Sequence, residues 1–234
     1  MNQVNTISLF DLAWVMLPIV VVLLVYLKWS MSIGNILYGL GRMLVQLLLV
    51  GYVLHYVFAA QTPGLIVAVL CLMLVAASFI SLRPVAEKNQ RLWWQAFFAI
   101  FIGGVSTLLL VTQVVLSLSP WFQPHYMIPL AGMIFANAMN AVSLAAERFE
   151  VEYGRDQNYY TARASSLRAA LIPITNSLFA VGLVSLPGMM TGQILSGVSP
   201  LIAARYQIMV MGMVFGSAGI AAAIFLYLRK KDFS

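Results

Sequence analysis

The sequence predicts an all-α integral membrane protein that crosses the bilayer about seven times. Three observations predict it. The 234 residues are 62% hydrophobic and only 9% charged, whereas a soluble domain carries about 25% charge to cover its surface. Apolar runs recur at the length of about 20 residues that one helical crossing requires. Runs such as residues 20–27 and 65–80 do not alternate, which excludes the closed barrel, the other fold that can span lipid.

The segments follow in order. The first, 7–27, is stopped by Lys28; no basic residue precedes it and no small-residue cleavage site follows, so it reads as a retained helix. The second, 43–58, is preceded by Arg42. Residues 29–41 are short, mixed and punctuated by glycine, and are expected to lie along the membrane face. The alternative is a longer second helix that contains Arg42, which a charge at bilayer depth disfavours. The third, 63–82, stops at Arg83-Pro84, and the fourth, 92–118, ends near Ser119-Pro120. The fifth, 126–146, stops at Glu147-Arg148. The sixth runs over 169–186, before Pro187-Gly188, and the seventh, 201–228, stops at Arg229-Lys230-Lys231. No repeat or linker divides the chain, so residues 1–234 are expected to form a single transmembrane domain.

Orientation follows from the basic residues. With the N-terminus outside and the C-terminus inside, twelve of the 13 lysines and arginines face the cytoplasm and only Arg205 lies outside. The net charge of +6 is therefore a topology signal rather than a nucleic-acid patch. The longest hydrophilic stretch, 147–168, is cytoplasmic in this arrangement. It reads either as an amphipathic helix with Phe149 and Tyr153 on one side or as a solvated loop.

Several chemistries are excluded. No phosphate-binding G-x-x-x-x-G-K-[ST] is present, so the chain has no nucleotide site of that kind and is not expected to be an enzyme. The lone Cys71 permits neither an internal disulfide nor a cysteine metal cluster, and His55 and His125 are far apart. Asp11 and His55 are candidates for a proton relay, but both fall near the outer ends of their helices, where a water-facing residue is the simpler reading.

Polar residues inside the apolar runs are more informative. Asn137, Asn140 and Ser143 recur at intervals of three and share a stripe with the small residues Gly132 and Ala136. They serve either as glue between helices or as the wall of a polar path. The sixth segment carries Pro173, Asn176 and Ser185 and then Pro187-Gly188-Met189-Met190. Proline and glycine break a helix and free its backbone groups, which lipid cannot satisfy. Broken helices at depth mark transport paths, and a turn at the outer surface is the alternative. The late methionines, Met189, Met190, Met209, Met211 and Met213, are either packing residues or soft-metal ligands.

Three blocks carry a family resemblance. They are Arg42-Met43-Leu44-Val45-Gln46-Leu47 with Gly51, then Gly132-Met133-Ile134 with Asn137-Ala138-Met139-Asn140-Ala141, and a long run from Ala169 to Ile208 that includes Val181-Gly182-Leu183-Val184-Ser185-Leu186-Pro187-Gly188-Met189-Met190-Thr191-Gly192. The chain resembles the FetB-type (YbbM-like) ABC transporter permease family, which is related to the plant aluminium-sensitivity proteins. The resemblance implies a permease subunit of the cell inner membrane that works as a homodimer. A separate ATP-binding subunit binds the ATP, and the cargo is a metal ion, iron by the resemblance, or a small solute. No cofactor is expected on this chain, and no metal ligands are assigned. On this reading Asn137, Asn140, Asn176, Ser185, Pro187, Gly188, Met189 and Met190 are candidates for the transport path. Phe149, Tyr153, Tyr159, Tyr160 and Arg163 are candidates for docking the ATPase. Residues 147–168 depart from the family pattern, being shorter and lacking its Leu-Gly-Ala-Thr-like turn. An ATP-independent channel or carrier is the alternative function, and a membrane scaffold a further one.

Overall fold

The computed structural model describes residues 8–59, 62–86, 89–156 and 158–230. Ile7, Lys88, Lys231 and the side chain of His55 lie outside the described residues. The described residues are helical with connecting turns and include no named strand. The chain divides into two compact units, residues 1–59 and 60–234.

The first unit holds α1 (Leu9–Trp14), α2 (Met16–Lys28) and α3 (Gly34–Ala59). Ser8 caps α1: its Oγ accepts from the Asp11 amide at 3.1 Å and donates to the Asp11 carboxylate at 2.6 Å. Asp11 is thus a helix-end residue, as its position suggested. Helices α1 and α2 together form one apolar span, Phe10–Lys28. Helix α3 departs from expectation, because it starts at Gly34 and contains Arg42 rather than beginning after it. Its 26 residues reach about 39 Å, some 9 Å more than the hydrocarbon core. About 20 residues counted back from Ala59 put the boundary near residue 40, about half a turn before Arg42 and within reach of a long side chain that snorkels.

The second unit holds α4 (Pro63–Ser81), α5 (Gln90–Leu109) with a π-helical continuation at Leu110–Val115, α6 (Pro124–Asp156), α7 (Tyr159–Ala180), α8 (Gly188–Leu195) and α9 (Pro200–Arg229). Local chemistry sets these ends. Pro63 and Pro200 open α4 and α9, where a missing N–H is harmless. Asn89 caps α5 by accepting from Leu92 N at 2.7 Å. Asn158 caps α7 by accepting from Tyr160 N and Thr161 N at 2.9 and 3.1 Å.

Helices α5, α6 and α9 pack into the core on small residues: Ala96, Ala99 and Gly103 on α5, Ala131, Ala138 and Ala145 on α6, and Ala218, Ala221 and Ala222 on α9. A Cβ built on Gly103 would stand 2.8 Å from the Ala221 amide nitrogen, so the two backbones touch there. Such close approach is the usual basis of helix association in lipid, where apolar burial supplies no driving force. Buried hydroxyls return to their own helices: Ser78 donates to Leu74 O at 2.9 Å, Thr107 to Gly103 O at 2.7 Å and Ser166 to Ala162 O at 2.6 Å.

Six helical spans among the described residues are long and apolar enough to cross a membrane: Phe10–Lys28, Gly34–Phe58, Pro63–Ser81, Gln90–Val115, Pro124–Arg155 and Pro200–Arg229. The chain is an all-α polytopic membrane protein. The seventh expected crossing, 169–186, is different. Its first part belongs to α7, and the remainder leaves the helix at Val181. Residues 147–168 are neither a separate amphipathic helix nor a loop. The described part is the end of α6, which runs to Asp156, and the start of α7, which begins at Tyr159 after its cap Asn158.

Candidate functional site

The interrupted segment begins at Pro173, whose ring removes one N–H from α7; the Ser177 hydroxyl donates to its carbonyl at 3.0 Å. The helix ends at Ala180. Its carbonyl accepts from Leu183 N, Val184 N and Ser185 N at 3.2, 2.8 and 3.2 Å. Gly182 adopts φ +83°, a left-handed conformation that favours glycine, and its amide donates to Ser185 O at 3.0 Å. Pro187 then stands immediately before α8, and its carbonyl accepts from Thr191 N at 3.0 Å. The loop therefore satisfies five successive amides, Val181 to Ser185, from its own backbone.

Depth follows from charge. Arg168 is the last charged residue of α7. The twelve residues from there to Ala180 extend about 18 Å, well short of the roughly 30 Å of hydrocarbon. From the other side, Val181 and Gly182 lie beside Ala204, Gln207 and Ile208 of α9, within one turn of Arg205, so charge brackets the break between Arg168 and Arg205.

A cavity of about 390 Å³ opens beside this break. Leu178, Val181 and Gly182 line it from α7 and the loop, Met190 from α8, and Gln207 and Met211 from α9. Gln207 is only 5% exposed, and its Oε1 is buried with no hydrogen-bond partner. Its lining includes no charged side chain. No cluster of three or more His, Cys, Asp or Glu is present among the described residues. Of the path candidates only Met190 lines this cavity. Pro187, Gly188 and Met189 lead into the same short helix, while Asn176 and Ser185 are exposed on the approach to the break. Gln207 was missed. The signal for it was present, since it is the one amide in the apolar run of α9.

Asn137 and Asn140 lie elsewhere, on α6. Asn137 donates to Met133 O at 2.8 Å and is half-buried; Asn140 is exposed, pointing away from the core of the second unit.

The docking candidates gather at the opposite end of the bundle, where every described basic residue of the second unit except Arg205 falls. Phe149 is fully buried, stacked on Tyr153 at 5.7 Å and beneath the Arg229 guanidinium at 5.6 Å. Tyr159 is also buried, and its hydroxyl donates to Leu226 O at 2.8 Å, tying α7 to α9. Tyr160 is 60% exposed. The Arg163 guanidinium lies 5.6 and 5.5 Å over the rings of Tyr159 and Tyr160, and Lys230 approaches Tyr160 at 5.6 Å. Glu152 pairs with Arg148 and, at 3.9 Å, with Arg155. The residues thus form one cluster, with Phe149 and Tyr159 holding its inside and Tyr160 and Arg163 on its outer side.

Comparison with known proteins agrees with this architecture. The chain is 33% identical over 221 residues to the UPF0014 membrane protein slr1647 of Synechocystis, covering 87% of this chain and 85% of the relative. It is 34% identical over 239 residues to the probable iron export permease protein FetB of Escherichia coli, covering 95% and 91%. It is 32% identical over 228 residues to the protein ALUMINUM SENSITIVE 3 of Arabidopsis thaliana, covering 90% and 82%. No solved structure matches it. The family described as Uncharacterised protein family (UPF0014) matches residues 9–233, and this chain belongs to that family of membrane proteins.

Proposed function

We propose that the chain is the permease subunit of an ABC transporter that exports a metal ion or small solute, driven by a separate ATP-binding subunit. Iron is suggested as cargo by the printed name of the Escherichia coli relative. The observation that carries the reading is the interrupted crossing beside a cavity, because non-helical backbone at membrane depth is tolerated where it lines protein or a water-filled path. The sequence has no phosphate loop of its own, so work must arrive from a partner.

In this reading two copies sit together in the cell inner membrane, N-terminus outside and C-terminus inside. Asn137 and Asn140 on α6, with Asn176, Ser185 and the 187–190 stretch, line the route. The ATPase docks at the basic end. Tyr160, with Arg163 beside it, meets the partner, since aromatic and arginine side chains are the common anchors of such contacts. Tyr153 flanks them, while Phe149 and Tyr159 keep the hairpin in shape. No cofactor is held by this chain, and ATP binds the partner.

The test is co-expression of the tagged chain with a P-loop ATPase encoded beside it. The expected result is co-purification and an ATPase rate that rises when both are reconstituted together. A chain that purifies alone and moves solute in liposomes without nucleotide would instead be a channel or carrier.

A further inference from the structure

The basic end of the second unit holds another cavity, of about 520 Å³, that the aromatic docking cluster does not use. Ala164, Ser165, Arg168, Ala169 and Ile172 line it from α7, and Arg148 borders it from α6. The small side chains of Ala164, Ser165 and Ala169 leave a groove between the two arginines. Arg148 precedes the end of α6 at Asp156, and Arg168 follows the start of α7 at Tyr159, by nearly equal lengths of helix, about 12 and 13 Å. The two side chains therefore leave their helices at one level. Beyond that level both helices are free of charge: α7 has none after Arg168, and α6 has no Asp, Glu, Lys or Arg before Glu147. The pair thus marks the membrane boundary, and Ile172 lies about 6 Å further toward the hydrocarbon. The positive charge here is not balanced. The lining includes no carboxylate, and Glu147, adjacent to Arg148 in sequence, is not part of it. Arg168 is exposed, and among the described residues no ion pair or hydrogen bond engages its guanidinium. Arg148 pairs with Glu152 through one Nη and keeps its other donors, on a side chain 44% exposed.

We propose that this groove binds the phosphate of an anionic phospholipid, drawn from the leaflet on the basic side of the bundle. The Arg148 and Arg168 guanidiniums hold the phosphate oxygens, and the Ser165 hydroxyl donates to them. Guanidinium forks match phosphate oxygens in pairs, and a basic pocket between membrane helices suits such a headgroup. The groove favours lipid over a soluble phosphate ester, because it continues past the arginines to Ala169 and Ile172. An acyl chain covers that apolar surface, and a soluble ester leaves it bare. Tyr160 and Arg163 lie nearer the start of α7 and outside this lining. The inference goes beyond the transport reading and stands or falls without it.

The experiment follows the unfolding midpoint of the full-length chain in a neutral detergent as phosphatidylglycerol is added. Phosphatidylcholine, whose phosphate is balanced by its own cation, is the comparison. The expected result is a rise in midpoint with phosphatidylglycerol and none with phosphatidylcholine at the same mole fraction. Arg168→Gln breaks no ion pair or hydrogen bond of the fold, and should need about tenfold more phosphatidylglycerol for half the shift, the weight of one hydrogen bond to a charged group. Arg83→Gln removes an equal charge at the same end of the bundle but outside the groove, and should change that requirement by less than about twofold. Ala169→Leu, grown into the groove, should abolish the response. Equal losses in Arg168→Gln and Arg83→Gln would mean diffuse attraction of a basic surface to anionic lipid, and would overturn the assignment. So would a wild type that does not respond to phosphatidylglycerol, or an undiminished response in Ala169→Leu. If soluble glycerol phosphate matches the phosphatidylglycerol shift and loses it in Arg168→Gln, the groove belongs to a soluble ester and the lipid assignment fails. Should Ala169→Leu not fold, the two arginine variants decide the question.

Discussion

Gly103→Ala should destabilise the helical bundle far more than its single methyl group suggests. The new Cβ would lie 2.8 Å from Ala221 N, 3.1 Å from Ala221 Cα and 3.2 Å from Ala221 Cβ. Two of these atoms are backbone and cannot turn aside, so α5 and α9 must separate by about half an ångström or more. A gap of that size already forfeits a quarter or more of each dispersion contact along the seam. Overpacking of this kind costs about 1–3 kcal/mol. The helix preference of alanine over glycine returns up to about 1 kcal/mol, leaving a net loss of up to about 2 kcal/mol. Two controls bracket it. At Gly104 the obstacle is the Phe135 ring at 2.8 Å, a side chain that can shift, so Gly104→Ala should cost less. At Gly219 nothing lies within 4 Å, so Gly219→Ala should be neutral or slightly stabilising. Reversible unfolding in mixed micelles, titrated with a denaturing detergent, measures all three. Gly103→Ala as stable as the wild type, or more stable than Gly219→Ala, would refute the close α5–α9 seam.

Three further outcomes are expected. In a Cys71→Ser background, cysteines at Ser119 and Asp156 should label from opposite faces of the membrane; labelling from one face would end the proposed topology. Gly188→Leu should insert and fold normally, since a Cβ there meets nothing within 4 Å. It should lower transport-coupled ATP hydrolysis several-fold; wild-type activity would reduce the break to a passive turn. Tyr160→Ala should weaken retention of the ATPase without a change in stability, whereas Tyr159→Phe should cost about 0.5–1.5 kcal/mol by losing its bond to Leu226 O; retention unchanged in Tyr160→Ala would move the docking surface elsewhere.

The continuous crossings were legible because a bilayer imposes a length on apolar runs, and Lys28, Arg83 and Arg229 punctuate them clearly. Arg42 misled, since a helix longer than the membrane can carry a charge about half a turn inside its boundary. Residues 147–168 read as a loop or separate helix because charge marks the membrane face without marking the end of a helix. Here α6 runs on through Glu147 and Arg148 as far as Asp156. A break was legible at Pro187-Gly188, but α7 ends six residues before the expected 186, at Ala180, where Gly182 takes a left-handed conformation. Gln207 was not singled out, although it is the one amide in the apolar run of α9; that its oxygen lacks a partner is visible only in the fold. For the same reason the aromatic docking candidates could not be sorted in sequence: Phe149 and Tyr160 are alike in composition but one is buried and the other exposed.

The central claim is that this chain moves cargo only when a partner hydrolyses ATP. Flux of ferrous iron across proteoliposomes containing the chain and its P-loop ATPase tests it most directly. The account predicts flux that requires ATP, disappears when the phosphate-loop lysine of the ATPase is replaced, and falls several-fold in Gly188→Leu. Iron flux of equal rate without nucleotide, or with the inactivated ATPase, would contradict it.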